Sequence, residues 1–247
     1  MNLFLILAFL FFIGSVTGWI IELFFRNFFS SANPEHKWIN PGFCTGPYLP
    51  LYGCGLCILY LIASLERYNF IVNPFLNKMV LLLIMAVCMT VIEYIAGIMS
   101  LHYAHVRLWD YTNEWGNVQG IICPKFSLIW GILGGIYYFL VHPHILDALN
   151  WLSGNLAFSF VIGQFFGVFW IDAAHSAQFV AKLKTYAQEN DVVIRYEAMK
   201  AEIRKKRIYA KKKYHFLFPF HTDHPLLEHL HELKESFEDR KIIRKRR

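Results

Sequence analysis

The chain has 247 residues, of which 56% are hydrophobic and only 17% charged, with a formal net charge of +6. A soluble fold of this length has no room to hide so much apolar surface, so the composition argues against a soluble domain and for a polytopic membrane protein. Charge is also partitioned: 18 of the 24 Lys and Arg lie after residue 175, leaving 6 basic and 8 acidic residues before it.

A bilayer core of about 30 Å takes about 20 apolar residues per helix. Five segments qualify: 2–25, 47–65, 79–101, 121–141 and 154–175. Runs this long leave little room for a transmembrane barrel, whose strands are short and alternating. The expected fold is therefore all-α: a five-helix transmembrane domain over 1–175, then a helical, basic, cytoplasmic tail over 176–247. With the tail inside, an odd number of helices puts the N-terminus outside. Arg26, Lys37 and Arg107 then fall in internal loops, whereas Arg67 and Lys78 fall outside and weaken that orientation.

The first helix has no Lys or Arg before it and no small-residue cleavage motif, so it reads as retained rather than as a cleaved signal peptide. It carries Gly14 and Gly18, a small face for packing, and then Glu22. A loop rich in Gly, Pro and aromatics follows, Trp38 to Pro50, with Asn40, Gly42, Gly46 and Pro47. Helix two holds Cys54-x-x-Cys57, but no soluble βαβ pattern surrounds it. The five cysteines read as buried thiols rather than a redox pair.

Helix three carries Glu93 inside an apolar run. The next loop contains Trp109, Asp110, Tyr111 and Gly120 and leads into helix four at Pro124-Lys125. Both loops can line a cavity or re-enter the membrane where protein or water meets their backbone groups; alternatively their aromatics are an interfacial belt. Segment 142–153 lacks Lys and Arg and suits an external loop. Helix five has Gly163, Gly167 and Asp172, with His175 one turn on.

The chain also repeats itself at an offset of 78, with Gly42 on Gly120, Tyr52 on Trp130 and Gly53 on Gly131. A parallel repeat would set Glu22, Glu93 and Asp172 at one depth near the inner face. Chance likeness between apolar segments is the competing explanation.

A carboxylate in hydrocarbon costs roughly 3 kcal/mol or more, so these three acids are the first functional candidates. Lys125 and His175 are candidate partners at matching depth, and Asp110 either caps a turn or joins a shared polar cavity. Glu22 can instead pair locally with Arg26 at i, i+4. Glu93 is the hardest to explain that way.

Beyond 175, residues 176–214 read as an amphipathic helix on anionic lipid, broken at Phe216–Phe220 and followed by a second helix over 225–240. His102 with His105, and the cluster His221, Asp223, His224, Glu228, His229 and His231, lack the partners of a metal site, so no metal and no cofactor is expected. There is no aromatic-interleaved RNA motif, no Gly-x-Ser-x-Gly and no phosphate-binding loop. Nucleic acid is not an expected partner, and any ATP-driven role needs a separate ATPase subunit.

Taken together, Gly18-Trp-Ile-Ile-Glu22, Asn40-Pro-Gly-Phe-Cys-Thr-Gly-Pro-Tyr-Leu-Pro-Leu-Tyr-Gly53, Glu93-Tyr94, Trp109-Asp-Tyr111 and Gly120-Ile-Ile-Cys-Pro124 resemble a bacterial membrane family labelled putative ABC-transporter permease, type IV. The resemblance covers roughly residues 10–175 and excludes the basic tail. Two departures stand at Pro41, where the family commonly has Arg, and at Ser100-Leu101, where it has an additional acid. What the resemblance implies is a permease-like component of a bacterial inner-membrane transport system, with a homo-oligomer or partner subunit completing the pathway. The alternative is a membrane-embedded enzyme acting on lipid or isoprenoid head groups, with Glu22, Glu93, Asp110 and Asp172 as acid, base or metal groups. The absence of hydrolase and nucleotide motifs favours the non-enzymatic reading.

Overall fold

A computed structural model describes residues 2–29, 33, 36, 38–68, 71–190, 192–196, 199–200 and 243–245. The expected tail features at Arg204–Arg207, Lys211–Lys213, Phe216–Phe220 and 225–240, the histidine cluster from His221 to His231, and Lys37 lie outside the described residues.

The protein is mostly helical. Helix α1 is Leu3–Phe28, α2 is Pro50–Ala63 with a 3-10 turn at Ser64–Tyr68, and α3 is Pro74–Ala104. Helix α4 runs Pro124–Gly154, and α5, Ser159–Glu189, follows a second 3-10 turn. Three of these, α1, α3 and α4, are long and apolar enough to cross a membrane. Helix α2 has 14 residues, which at 1.5 Å each is about two thirds of a bilayer core. The later turns of α5 carry Lys182 and Lys184, and it runs well past residue 175.

Two expectations are corrected. Segment 142–153 is not a loop but the second half of α4. Pro143 lacks an N–H and its ring clashes with the carbonyl of the preceding turn in a regular helix. Here the turn before it, Tyr137–Val141, is a π-turn, and the N–H of His142 reaches back to the carbonyl of Tyr137. The widened turn lets the helix continue through the proline.

The second correction concerns the all-α reading and the long tail helix. Three short strands form one sheet: β1 Val106–Arg107, β2 Val192–Arg195 and β3 Ile243–Lys245, in the order β1-β2-β3. Strand β2 pairs parallel to β1, with Val106 opposite Ile194, and antiparallel to β3. Val192, Val193 and Ile194 are three β-branched residues in a row, which favours extended backbone over the helix expected there.

Contacts divide the chain into two compact units. One comprises Met1–Gly18, Tyr48–Ala96 and Tyr111–Trp170; the other comprises Trp19–Pro47, Gly97–Asp110 and the described part of Ile171–Arg247. The core of the first is apolar and aromatic, built on Leu10, Leu59, Leu81, Met85, Trp130, Tyr137, Leu149 and Leu152. There α1 meets α2 very closely: a Cβ placed on Gly18 would lie 2.2 Å from Cβ of Tyr52, so only glycine fits. Gly163 and Gly167, the other expected small face, have nothing within 4 Å among the described residues. The second unit has its own core of Ala104, Val106, Leu183, Tyr186, Ile194, Tyr196 and Met199.

Candidate functional site

In the first unit the site centres on Glu93. The acid lies in the C-terminal half of α3 and is only 4% exposed. Its two oxygens are met separately: Tyr111 donates its hydroxyl to Oε1 at 3.1 Å, and Trp130 donates its indole N–H to Oε2 at 3.0 Å. Tyr111 is held in turn by stacking on Phe126, with centroids 4.2 Å apart and planes at 9°. Trp130 reaches Glu93 from the second turn of α4, its ring against Tyr52. Side-chain donors of this kind offset part of the cost of burying a carboxyl group.

The loop that delivers Tyr111 is closed on itself. The N–H of Tyr111 donates to the carbonyl of Gly120 at 2.9 Å, and the Asn117 side chain donates to the carbonyls of Thr112 and Glu114 while accepting from Gly120 N–H. Gly120 has φ +67°, a left-handed backbone that glycine adopts at no steric cost. Pro124 then opens α4 as its first residue, where a missing N–H does no harm.

Lys125 is not the buried cation expected beside Glu93. It stands in the first turn of α4, its side chain 61% exposed, paired with Glu114 at 3.0 Å. A long stem at a helix start carries its charge out to solvent.

In the second unit the site is built by the loop 38–47 around Asp172. Asp172 accepts from the backbone N–H of Thr45 at 3.1 Å and of Gly46 at 2.8 Å, and from the hydroxyls of Thr45 and, at 3.3 Å, Ser176. Asn40, 3% exposed, is the hub of this loop. Its Oδ1 accepts from the Trp19 indole at 2.9 Å and from Gly42 N–H at 3.0 Å, while its amide donates to the carbonyls of Cys44 and Thr45, each at 3.1 Å. This is an Asx turn extended into a cage, with the Asn side chain replacing backbone ladder bonds. Pro47 ends the loop at the surface. Burial and the charge of Asp172 push the Cys44 thiol up to about 11.

Lys200 closes the same loop. Its ammonium nitrogen donates to the carbonyls of Asn40 at 2.9 Å and Gly42 at 3.4 Å and lies 4.5 Å above the Tyr196 ring. Burial first, then the positive field of Arg26, hold its pKa well below the usual lysine range, and Glu22 opposes them. Glu22 itself takes the local partner, Arg26 at 2.8 Å. Asp110 is gripped by Arg107 at 3.4 Å and by Arg195. Trp109 is half-buried beside it, and His175 is exposed on α5 with no hydrogen bond among the described residues. Among the described residues no group of three His, Cys, Asp or Glu could hold a metal ion.

The structure thus brings together Glu93 with Tyr111, and Asp172 with the Asn40–Gly46 loop. Trp130, Thr45, Ser176, Arg195 and Lys200 are partners that sequence reasoning did not single out as site residues. Trp130 had one signal, an indole in an apolar helix aligned with Tyr52 in the repeat. Lys200 had none, being one of many lysines in a charged stretch.

No curated protein and no solved structure matches the chain. The family model described as Putative ABC-transporter type IV matches residues 9–177, which include α1 from Phe9 onward, α2 to α4, both loops, Glu93 and Asp172. The chain belongs to that family of ABC-transporter-type proteins.

Proposed function

We propose that the protein is a permease-like component of an ABC-type transport system in a bacterial inner membrane, multi-pass, with its N-terminus outside and its basic tail in the cytoplasm. Glu93 carries this reading. It is an acid buried in α3, one of the three membrane-length helices, bound through side-chain donors, one of them on a loop. A polar point of that kind, deep among apolar helices, is what a substrate or ion path requires and what a purely structural bundle avoids. With three to five spans the chain is small for a whole pathway, so a second copy or partner completes it. With no phosphate-binding loop, energy comes from a separate ATPase. The basic tail holds the anionic leaflet, each Lys or Arg near the surface adding about 1 kcal/mol.

The test is gentle solubilisation followed by identification of what travels with the chain, together with transport in vesicles. An ATPase is expected to co-purify, and Glu93→Gln is expected to abolish uptake or export while leaving assembly intact. Repeated recovery of the chain alone, with Glu93→Gln transporting normally, would overturn the proposal.

A further inference from the structure

The residues after α5 lie beyond 177, where the family match ends. Within their unit they nevertheless hold the 38–47 loop and the residues His105–Asp110 that follow α3. Strand β2 lies along β1, with Ile194 N–H donating to the carbonyl of His105 at 3.0 Å, and Arg195 binds Asp110. A little further on, Tyr196 lies against Phe43, ring centroids 5.1 Å apart, and Lys200 sets its nitrogen on the carbonyls of Asn40 and Gly42.

Two carbonyl oxygens converging beside an aromatic face make a seat for a head rich in N–H donors: the oxygens accept, and the ring face attracts the positive end. Lys200 is 3% exposed, and an amine is buried to that degree only where its donors are met. The seat is also preorganised, because the Asn40 side chain already fixes the loop through Trp19, Gly42, Cys44 and Thr45.

We propose that the described residues 192–196 and 199–200 act as a strap carrying a built-in ligand: Lys200 seats a primary amine on the carbonyls of Asn40 and Gly42, and occupancy of that seat sets the loop that grips Asp172. The ligand class is a primary amine on an unbranched alkyl stem; a quaternary ammonium has no N–H to offer the two oxygens. The inference goes beyond the transport reading and stands independently of what crosses the membrane. It makes the strap the element through which the tail controls the loop.

The readout is the alkylation rate of Cys44, resolved by mass spectrometry in the full chain in detergent, with helical circular dichroism as the fold check. Cys44 is buried in the loop, so it reacts only when the loop opens. Lys200→Met keeps the stem and removes the donors; Lys200→Ala empties the seat. Both are expected to speed Cys44 alkylation roughly tenfold or more, the scale of losing one or two buried hydrogen bonds. Added n-butylamine is expected to restore protection to Lys200→Ala, while n-butanol and tetramethylammonium do not, and Lys200→Met is not rescued. Native-like protection in Lys200→Met overturns the proposal. Equal rescue by butanol also overturns it, because it would reduce the seat to a hole that any stem fills. Should Lys200→Ala lose its helical signal, the Met variant alone decides.

Discussion

Glu93 and Asp172 are both carboxylates set in helices that read as apolar, and they are held in opposite ways. Asp172 is gripped largely by main-chain N–H groups of Thr45 and Gly46, donors that no side-chain change removes and that cannot swing away without unmaking the loop. Glu93 is held by the tips of two aromatic side chains, each on its own segment. A carboxylate fixed by backbone is a fastener. One fixed by side chains can exchange partners, which is why the proposed transport role is assigned to Glu93 rather than to Asp172.

The largest expected effect is on the fastener. Asp172→Ala leaves two N–H groups and the hydroxyls of Thr45 and Ser176 without this acceptor, a cost of about 2–4 kcal/mol for a part-buried cluster, read as a lower thermal midpoint in detergent. Asp172→Asn should recover only part of that, since its amide presents N–H to N–H on one side. A harmless Asp172→Asn would break the comparison.

Next in size are the donors to Glu93. Trp130→Phe and Tyr111→Phe should each destabilise by about 1–2 kcal/mol, and because the two serve one carboxylate their combined effect should depart from the sum. A double-mutant cycle in unfolding free energy measures the departure. Strict additivity would mean that the two donors do not act on one group.

The smallest effect is in pH and belongs to the Asp172 side. The Cys44 thiol titrates near 11 in the fold against 9.0 unfolded, so the fold favours the neutral form. Its contribution to stability is full below pH 9.0 and is lost as pH rises through about 11. Cys44→Ala should flatten the alkaline end of the stability profile and leave the neutral range unchanged.

Glu93 was legible because an acid in a long apolar run violates the pattern around it, and the Asn40–Pro47 loop was legible from its turn residues. Its binding of Asp172 was not, because a backbone N–H carries no residue signature. Lys125 misled because depth was inferred from helix position, while the long stem let its charge leave that depth. The expected repeat does not align the acids. At the offset of 78, Glu93 falls on Ser15 and Glu22 on Ser100. Ser15, fully buried, faces Gly53 of α2, as Glu93 meets Trp130 beside Gly131. At that offset, what the two segments share is a polar side chain set against the next helix, not an acid.

The π-turn at Tyr137–Val141 makes α4 two half-helices out of phase, joined by a one-residue dislocation. Every residue after it keeps its facing only because of that extra residue. Deleting a single residue between 137 and 141 would remove the widened turn that accommodates Pro143 and at the same time turn Ile145, Leu149 and Leu152 by about 100° away from the core they now fill. Substitutions at those five positions are local events, whereas a deletion there is a rotation of everything downstream to Gly154.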